Sequence, residues 1–382
     1  MLNSWSVLIN LIFSISFGLQ LLPFERLEHL ILVLLDTTAS LLRCLGRRMK
    51  DSRPTTSWRR LIVPSNEFPS ISAAVRRVES GDIICLTNPR YEECVSFLNS
   101  PARCNYFVIE GHSPQHKPTL TCEDEPVFSV SCIKHRVIVV LRNLVLLAST
   151  TSCLHVSYNC QAFVQNCEFV STAACVEVRD YSYLRVEDCR FTCSGDCPAS
   201  LRLLDSCCEV SCCEFDGSGI ALLDSNCGIF KSTFKTLYSC AINSLNSFIH
   251  MMMCTVLGNS DGVVLASSTG VLTHNTFTNN AGIGLLVHGT SSVSLGSSVF
   301  TENGFSATCV HDGSELVDLG GNRKFNNDRF RPTRRQHFLR FALTRHARVG
   351  ADSHAHRLVE DILFEVYQHL LRPSPDSDTD DI

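Results

Sequence analysis

Charge, glycosylation acceptors and paired cysteine motifs are all scarce or absent in this sequence. Charged residues make up 19% of the 382 residues and apolar residues 45%, so much of the chain is expected to be buried. No Asn-x-Ser/Thr acceptor occurs, although an exported eukaryotic or viral protein of this length often carries one. The formal net charge of −5 excludes a general attraction to nucleic acid.

Cysteine is abundant, with 21 residues, yet no two of them have a Cys-x-x-Cys spacing. An odd number fits poorly with a full set of disulfides in an exported protein. Together with the missing glycosylation acceptors, it favours a reducing compartment, where a free cysteine behaves as a small buried apolar residue. A disulfide framework is the alternative.

The first 24 residues, MLNSWSVLINLIFSISFGLQLLPF, carry no charge and are long enough to cross a bilayer. They lack the basic start and the small-residue cleavage site of a signal peptide, and polar residues interrupt the apolar run. We therefore interpret residues 1–60 as an apolar helical segment that packs on the protein or binds a partner. Membrane contact through residues 1–24 and a cleaved signal are the less favoured alternatives.

A short motif recurs from residue 143 onwards, in which a small or polar residue is followed two positions later by a large apolar one. Successive large residues are 19 to 24 positions apart, and short runs such as CVEVRD and IALLDS lie between them. Each run is rich in Val, Leu or Ile and ends in a turn-forming residue, which is typical of a short strand. The large positions are Val145, Phe169, Phe191, Phe215, Phe234, Leu257, Phe277 and Phe300.

A period of about 22 residues with three short strands describes one coil of a parallel β-helix. The sequence therefore predicts an all-β, right-handed parallel β-helix of about 8–10 coils over residues 61–322. A β-sandwich, the alternative, gives no reason for Phe to recur at one corner. Such solenoids need caps at their ends. Residues 68–80, with Ile71, Ala74 and Val75 on one face, are predicted to form an N-terminal helical cap.

The stretch SCCEVSCCEF concentrates four cysteines in two adjacent pairs, Cys207/Cys208 and Cys212/Cys213. Neighbouring residues on a strand point to opposite faces, so only one thiol of each pair can enter the interior. A zinc site would need four ligands that converge on one point. This spacing does not favour one.

Cysteines also recur with the coil period. Cys167, Cys189 and Cys213 each precede a coil's Phe by two positions, so they should stack in one column along the axis. We interpret this column, together with that of the Phe side chains, as core packing. We expect no metal ion and no cofactor.

Many right-handed β-helix proteins cleave acidic polysaccharides, and their acids and bases must meet on one face of the coil stack. Here GHS at 111–113 and HDG at 311–313 lie far apart, and the repeats contain no Arg-x-Lys. Asp205 and Asp224 could stack on adjacent coils, but no basic residue is in register with them. We therefore predict no catalytic residue and no enzyme, and interpret the two aspartates as turn formers.

The composition changes after the last clear coil. Residues 323–348 hold eight Arg and one Lys against one acid. This suits a nuclear import signal or a phosphate-contacting patch, or else the solvated face of a helical cap. Residues 356–371 have apolar side chains at i, i+4 spacing, which predicts an amphipathic helix. Residues 323–372 are thus predicted to form a basic and then helical C-terminal segment.

Residues 373–382 are acidic and have the composition of a disordered tail. Ser374, Ser377 and Thr379 are candidate phosphorylation sites, since acids follow the last two. Each phosphate would add roughly −1.5 to −2 charges. A tail that only increases solubility is the alternative.

These features together resemble the large T antigens of adenovirus early region 1B. The resemblance is clearest at AACVEVRDYSYLRVEDCRFTC (173–193) and CCEFDGSGIALLDSNCGIF (212–230), which are Cys-rich coils with a Cys-x-Phe corner. It is looser at YFVIEGHSPQHKPTLTCEDEPVFSV (106–130), and the acidic Ser/Thr tail is similar to that family's phosphorylated end. The generic pattern of pectin-lyase-like β-helix proteins would also fit cellular families such as β-helix F-box proteins.

The resemblance implies a non-enzymatic viral scaffold that binds host regulatory proteins and recruits a ubiquitin ligase in the host nucleus and cytoplasm. The atadenovirus relatives imply the alternative, a trimeric β-helix capsid protein on the virion surface. A long acidic N-terminus and a Cys-rich segment beyond the coils, both expected of the adaptor, are missing. These departures favour the capsid alternative, while the tail and the basic patch favour the adaptor. Either role implies protein partners and a homotrimer or other homo-oligomer.

Overall fold

The computed structural model describes residues 58–98, 104–133, 136–194, 197, 199–235, 240–311 and 313–327, all within the unit that begins at Trp58. Several predictions lie outside these residues: the apolar segment up to 57, the basic patch beyond 327, the helix at 356–371, and the tail with Ser374, Ser377 and Thr379. No helix of the described part is long and apolar enough to cross a membrane.

Short runs in which apolar and polar residues alternate form the strands, and polar residues or glycines end them. The first strands are β1 (Arg60–Val63), β2 (Ile83–Leu86), β3 (Arg90–Glu92), β4 (Val95–Leu98), β5 (Tyr106–Gly111), β6 (Thr119–Cys122), β7 (Phe128–Ser131), β8 (Ile138–Arg142), β9 (Val145–Ala148), β10 (Leu154–Ser157), β11 (Gln161–Gln165), β12 (Glu168–Ser171), β13 (Val176–Val178), β14 (Tyr183–Glu187), β15 (Arg190–Cys193) and β16 (Leu201–Leu204).

The second half of the coils repeats the same pattern. Its strands are β17 (Cys207–Ser211), β18 (Glu214–Asp216), β19 (Ile220–Leu223), β20 (Asn226–Phe230), β21 (Thr233–Lys235), β22 (Ile242–Leu245), β23 (Phe248–Met252), β24 (Thr255–Leu257), β25 (Val263–Ala266), β26 (Thr269–Thr273), β27 (Thr276–Thr278), β28 (Ile283–His288), β29 (Ser292–Gly296), β30 (Val299–Thr301), β31 (Ser306–Val310), β32 (Glu315–Gly320) and β33 (Arg323–Phe325).

The strands form three parallel sheets, and neighbours in each sheet are usually three strands apart in the chain. Sheet A has 12 strands, β1-β2-β5-β8-β11-β14-β17-β20-β23-β26-β29-β32. Sheet B has 11, β3-β6-β9-β12-β15-β18-β21-β24-β27-β30-β33, and sheet C has 10, β4-β7-β10-β13-β16-β19-β22-β25-β28-β31. The chain therefore winds round one axis and visits each sheet once per coil, which confirms the predicted parallel β-helix.

The interior between the three sheets is apolar, because one face of every strand points into it. The largest fully buried side chains are mostly phenylalanines on sheet B and at the first coils of sheets A and C. Each coil adds one strand to each sheet at a rise of about 4.8 Å. Stacking thus buries a continuous core, which a single coil could not do alone.

Many corners, above all from residue 143 onwards, contain a residue in the left-handed backbone conformation. At the corner from sheet A to sheet B these include Asn143, Asn166 and Asp188, with φ of 56, 52 and 54°. Asn and Asp tolerate this conformation better than most residues, because their short side chains can bond to the local backbone. The polar ends of the predicted strands therefore supply the turns.

At the corners, some backbone N–H groups have no partner in the sheets. Columns of short polar side chains accept hydrogen bonds from them. From sheet B to sheet C, the side-chain oxygen of Asn280 accepts from the backbone N–H of Asn259 at 3.0 Å. The oxygen of Asn303 accepts from the N–H of Asn280 at 3.3 Å, and that of Asn327 from the N–H of Asn303 at 3.1 Å. A serine column does the same from sheet C to sheet A: Ser206, Ser225, Ser247, Ser268, Ser291 and Ser314.

One helix, α1 (Ile71–Val75), lies between β1 and β2 and buries Ile71 and Val75. The side chain of Ser70 caps its first turn, and the carboxylate of Glu93 accepts from the backbone N–H of Ile71 at 2.7 Å and of Ser72 at 3.0 Å. The helix is shorter than the predicted 68–80, because the chain must turn at Gly81 to enter β2. Its role as a cap stays a prediction.

Three details of the sequence-based prediction were wrong. The chain forms about eleven coils, more than the predicted 8–10. The number was too low because the coils before residue 143, although inside the predicted range, lack the recurring Phe by which the later coils could be counted. The coils also continue past 322, since β33 extends to Phe325. Two predicted positions of the Phe column, Val145 and Leu257, were wrong by one residue. Their neighbours Leu146 and Val256 are the residues in register with the phenylalanines.

Candidate functional site

The predicted Phe positions lie in the closed interior. The rings of Phe169, Phe191, Phe215 and Phe234 stack with centroids 4.9, 4.5 and 4.7 Å apart and nearly parallel planes. Val256 interrupts the column, which means that the last pair, Phe277 and Phe300, stacks separately at 4.6 Å. All six rings are fully buried. This column holds the coils in register and is not accessible to a ligand.

The predicted cysteine column lies beside the phenylalanines, at the corner from sheet A to sheet B. Cys167, Cys189 and Cys213 are all buried, and the backbone N–H of Cys167 donates to the sulfur of Cys189 at 3.3 Å. Ser232, and further on Asn275, take the same role: Ser232 Oγ accepts from the N–H of Cys213 at 3.1 Å. The column is thus a polar ladder in which the thiol serves as a weak acceptor with an apolar surface.

Burial raises the pKa of the Cys189 thiol well above its ordinary value. The pKa of the Cys213 thiol is also raised, mainly by its hydrogen bond with Cys189 and secondly by burial. Both sulfurs therefore stay protonated at neutral pH, whereas a metal ligand must be a thiolate. These groups pack and bond within the core.

One thiol of each adjacent pair is buried, as predicted, but strand geometry accounts only for Cys207 and Cys208, which lie on β17. Cys208 and Cys213 are buried, while Cys207 and Cys212 are exposed. Cys212 is exposed because it is a corner residue with φ of 54°, not because it lies on a strand. One disulfide, between Cys94 and Cys122, was not predicted. All four cysteines of the two adjacent pairs are free thiols.

The candidate catalytic groups do not meet. Asp205 and Asp224 are corner residues, each with φ of 49°, on successive coils. Within the described residues, no group of three His, Cys, Asp or Glu side chains could hold a metal ion. Of the two histidine motifs, His112 follows β5 and His311 follows β31, many coils apart.

An open groove of about 520 Å³ lies outside sheet B and its corner with sheet A. Two ion pairs line it: Lys117 lies 2.8 Å from Glu168, and Lys235 lies 2.9 Å from Glu214. The hydrogen bond from Lys235 lowers the pKa of the Glu214 carboxyl, so this acid is ionised at neutral pH and cannot donate a proton. The groove is a solvated ion-pair surface.

The most unusual surface is the corner from sheet C to sheet A in two coils. Tyr158 and Asn159 both have positive φ, of 58 and 59°, and so do Asp180 and Tyr181, at 57 and 60°. Tyrosine has no side-chain oxygen near the backbone to favour this conformation. The Tyr181 side chain is 80% exposed and that of Tyr158 is 48% exposed. Two aromatic rings therefore project into solvent from strained turns.

An extra residue in each of these turns causes the projection. In the sheet register Val178 pairs with Leu203 and Tyr183 with Cys207. Four residues thus lie between the paired positions in the Tyr181 coil, and three in the next. The serine column does not extend to the Tyr181 corner. Ser182 lies there, and its buried hydroxyl has no hydrogen-bond partner.

Arginines flank the tyrosines on sheet C. The carboxylate of Glu177 accepts from Arg179 at 2.9 Å and from Arg202 at 3.0 Å. His155 lies in register beside Glu177, and burial lowers its pKa, so the ring is neutral at neutral pH. Arg179 also has a buried Nε without a partner. This flank is a rigid charged frame beside the exposed rings.

Aromatic side chains flank the tyrosines on sheet A. The rings of Phe163 and Tyr183 lie 5.9 Å apart on the outer face. Burial, with the negative charge of Glu209, raises the pKa of the Tyr183 phenol. Arg185 lies 3.9 Å from Glu209. We call this whole surface the tyrosine–arginine corner: Tyr158, Phe163, Glu177, Arg179, Asp180, Tyr181, Tyr183, Arg185 and Arg202.

The tyrosine–arginine corner has the composition of a protein-binding surface. Tyr and Arg are enriched among the residues that dominate protein–protein affinity. Sequence reasoning missed Tyr181, although the segment RDYSY lies in the stretch that carries the viral resemblance. The only sign of this corner in the sequence is one extra residue between two strands. That residue cannot be recognised before the strands are aligned, because the length of the repeat varies from coil to coil.

Comparisons with known proteins agree with the solenoid. The family model described as a right-handed β-helix region matches residues 132–328, which confirms the predicted handedness. A search of curated proteins found no match.

Among solved structures, the chain is similar to the pectate lyase Pel9A, with 12% identity, a TM-score of 0.38, and coverage of 70% of this chain and 80% of that one. It is also similar to the catalytic unit of a GH87 α-1,3-glucanase from Streptomyces thermodiastaticus, with 11% identity, a TM-score of 0.30, and coverage of 71 and 69%. A third is ORF18 of Geobacillus virus E2, with 10% identity, a TM-score of 0.34, and coverage of 65 and 58%. The likenesses to these solved structures carry no functional argument. The family match spans more than half of the chain, and the chain belongs to the right-handed β-helix family.

Proposed function

We propose that this protein is a non-enzymatic scaffold that binds a partner protein through the tyrosine–arginine corner. The observation that carries the proposal is Tyr181, whose ring is 80% exposed on a turn with two residues of positive φ. For a residue other than glycine, Asn or Asp, such as Tyr181, this conformation costs about 1–2 kcal/mol. An exposed ring adds no core packing to offset that cost, so a role in binding accounts for it better than stability does.

The partner surface should be concave and apolar with a basic rim. The corner is convex, and a projecting tyrosine contributes most when a pocket removes it fully from water. Five carboxylates lie on or beside the corner, against three arginines, which leaves a formal excess of two negative charges. The carboxylates are Glu177, Asp180, Glu187, Asp205 and Glu209. Basic groups at the rim of the pocket would complement this excess.

In its more specific form, the proposal is that this scaffold is a viral adaptor protein. It rests on the resemblance of residues 173–193 to the large T antigens, and this stretch contains Tyr181. On this proposal the partner is a host regulatory protein, and the chain acts inside the cell. A trimeric capsid role is the alternative, and it predicts that the protein is present in purified virions.

The test is affinity purification of the full chain and two variants from the host cell. Tyr181→Asn removes the ring, while Asn keeps the left-handed turn. We expect it to lose the partner that the natural chain retains, with a fall in affinity of at least about tenfold, because such anchors contribute about 2 kcal/mol or more. Phe248→Ser, at a ring that is 42% exposed on another part of sheet A, is the matched control.

Equal recovery of every partner by Tyr181→Asn and the natural chain would overturn the proposed site. Cleavage of polygalacturonate or an α-1,3-glucan by the purified chain, lost in Asp224→Ala, would overturn the non-enzymatic role. The protein in purified virions as a stable trimer would favour the capsid alternative over the adaptor.

A further inference from the structure

The outer face of sheet C changes its chemistry along the axis of the coils. On β10, β13 and β16 the residues His155, Glu177 and Arg202 lie in register and are titratable or charged. From the end of β16 onwards, five successive strands of the sheet carry aliphatic residues at outward positions. We call this surface the aliphatic stripe: Leu204, Leu223, Leu245, Val264, Ala266 and Leu286.

The aliphatic stripe is continuous and partly open to solvent. Leu204, Leu223 and Leu245 lie in register on successive strands. Leu245 is 44% exposed, and Leu204, Leu223 and Leu286 are half-buried. Four steps of about 4.8 Å separate β16 from β28, so the stripe is about 19 Å long. A contiguous apolar surface of this kind marks a site of interaction.

The chain leaves the last described coil beside this sheet. Asn327 continues the asparagine column at the corner from sheet B to sheet C, because its side chain accepts from the backbone N–H of Asn303 at 3.1 Å. The following residues therefore start at the edge of sheet C, two coil steps or about 10 Å beyond Leu286. Residues 328–355 can extend over about 90 Å, which is more than enough to return along the stripe.

The segment 356–371, which lies outside the described residues, has a matching apolar pattern in its sequence. Its apolar positions run from Leu358 to Leu370 at i, i+4 spacing, and a helix would carry them over about 18 Å. This length agrees with that of the stripe.

Charge favours the same occupant. Asp205 and Asp224 directly follow two leucines of the stripe, and residues 328–348 hold seven arginines that complement these carboxylates. The stripe of a second copy of the chain would instead bring the same two carboxylates to the contact.

We propose that the aliphatic stripe is the docking surface for residues 356–371 of the same chain, which pack on it as an amphipathic helix. The apolar face of the helix would cover Leu245 and its neighbours, and their removal from water stabilises the contact. Neither Tyr158 nor Tyr181 belongs to the stripe, so the proposal does not depend on the binding role of the tyrosine–arginine corner.

Hydrogen–deuterium exchange of the full chain, measured by mass spectrometry, tests the contact. We expect residues 356–371 to exchange slowly in the natural chain and at least about tenfold faster in Leu245→Asp, because a charge replaces a leucine in the contact. Met253→Asp is the matched control, at a 50% exposed residue of the corner from sheet A to sheet B whose φ of 56° suits Asp. It should leave the exchange of residues 356–371 unchanged.

Exchange of residues 356–371 at the rate of an unfolded chain in the natural protein would overturn the proposal. Equal exchange of this segment in the natural chain and in Leu245→Asp would do the same. Analytical ultracentrifugation detects a second copy as the occupant: a dimer that Leu245→Asp dissociates, without faster exchange of residues 356–371, also contradicts the proposal. Strand exchange should stay natural in the variants, and Leu223→Asp repeats the test on the neighbouring coil if β22 is disturbed.

Discussion

Single side chains divide between those that hold the coils in register and those that project from them. Phe191 is fully buried, with rings at 4.9 and 4.5 Å above and below it. Tyr181, one coil corner away, is 80% exposed. The contrast shows how a repetitive core leaves individual corner residues free to take on a binding role.

The Phe column gives a prediction at this scale. Phe191→Ala should lower the free energy of unfolding by about 3–5 kcal/mol, because it removes a fully buried ring and leaves a cavity between two others. Urea denaturation followed by circular dichroism measures the loss. Phe248→Ala, at a 42% exposed ring, should change stability by less than about 0.5 kcal/mol. Equal losses for the two variants would contradict the stacked core.

At the scale of elements, the strands are short and the corners decide how they stack. The longest strands have six residues, and a corner can hold one extra residue while the strands on both sides of it stay in register. The asparagine, serine and cysteine columns occupy equivalent places at three corners. Each provides an acceptor for a backbone N–H that would otherwise be buried without a partner.

The asparagine column gives the second prediction. Asn280 accepts from the N–H of Asn259 and donates to the side chain of Asn303 at 2.8 Å. Asn280→Ala leaves these buried groups unpaired, at roughly 1–3 kcal/mol for each. The urea midpoint should fall clearly below that of Asn243→Ala, whose side chain lies on the outside of sheet C. Equal midpoints would mean that the column does not contribute to stability.

The elements also show what a repeat can and cannot predict. The three-stranded period and the Phe column were visible because a large aromatic residue recurs two positions after a small one. The prediction missed Leu146 and Val256 by one residue, because the aliphatic residue next to each of them fits the same sequence pattern. The Cys94–Cys122 bridge spans 28 residues, and sequence alone does not determine which cysteines pair. The extra corner residue at Tyr181 is visible only once the strands are in register.

At the scale of the whole molecule, many buried thiols share one interior. Burial raises the pKa of Cys104 and of Cys254 to about 11, from an ordinary value of 9.0. Such groups stabilise the fold fully below pH 9.0, where they are protonated in both states. Above it, the unfolded chain loses protons that the folded chain keeps, and stability falls until the folded pKa is reached.

Alkaline pH should therefore destabilise this protein more than one with few cysteines. Each thiol contributes up to about 1.4 kcal/mol of loss per pH unit. Urea midpoints measured between about pH 8 and pH 10.5 should fall steadily. Cys254→Ser should show a shallower slope than the natural chain, since one titrating group is gone. A midpoint independent of pH would contradict the buried, protonated state of the thiols.

The central claim for the whole molecule is that a β-helix presents one protein-binding corner at Tyr181. The most direct measurement is photo-crosslinking in host cells, with a photoreactive phenylalanine analogue at position 181 or, as the control, at 248. We predict a discrete protein adduct from position 181 that is absent from position 248. Identical adducts from both positions, or none from position 181, would contradict the claim.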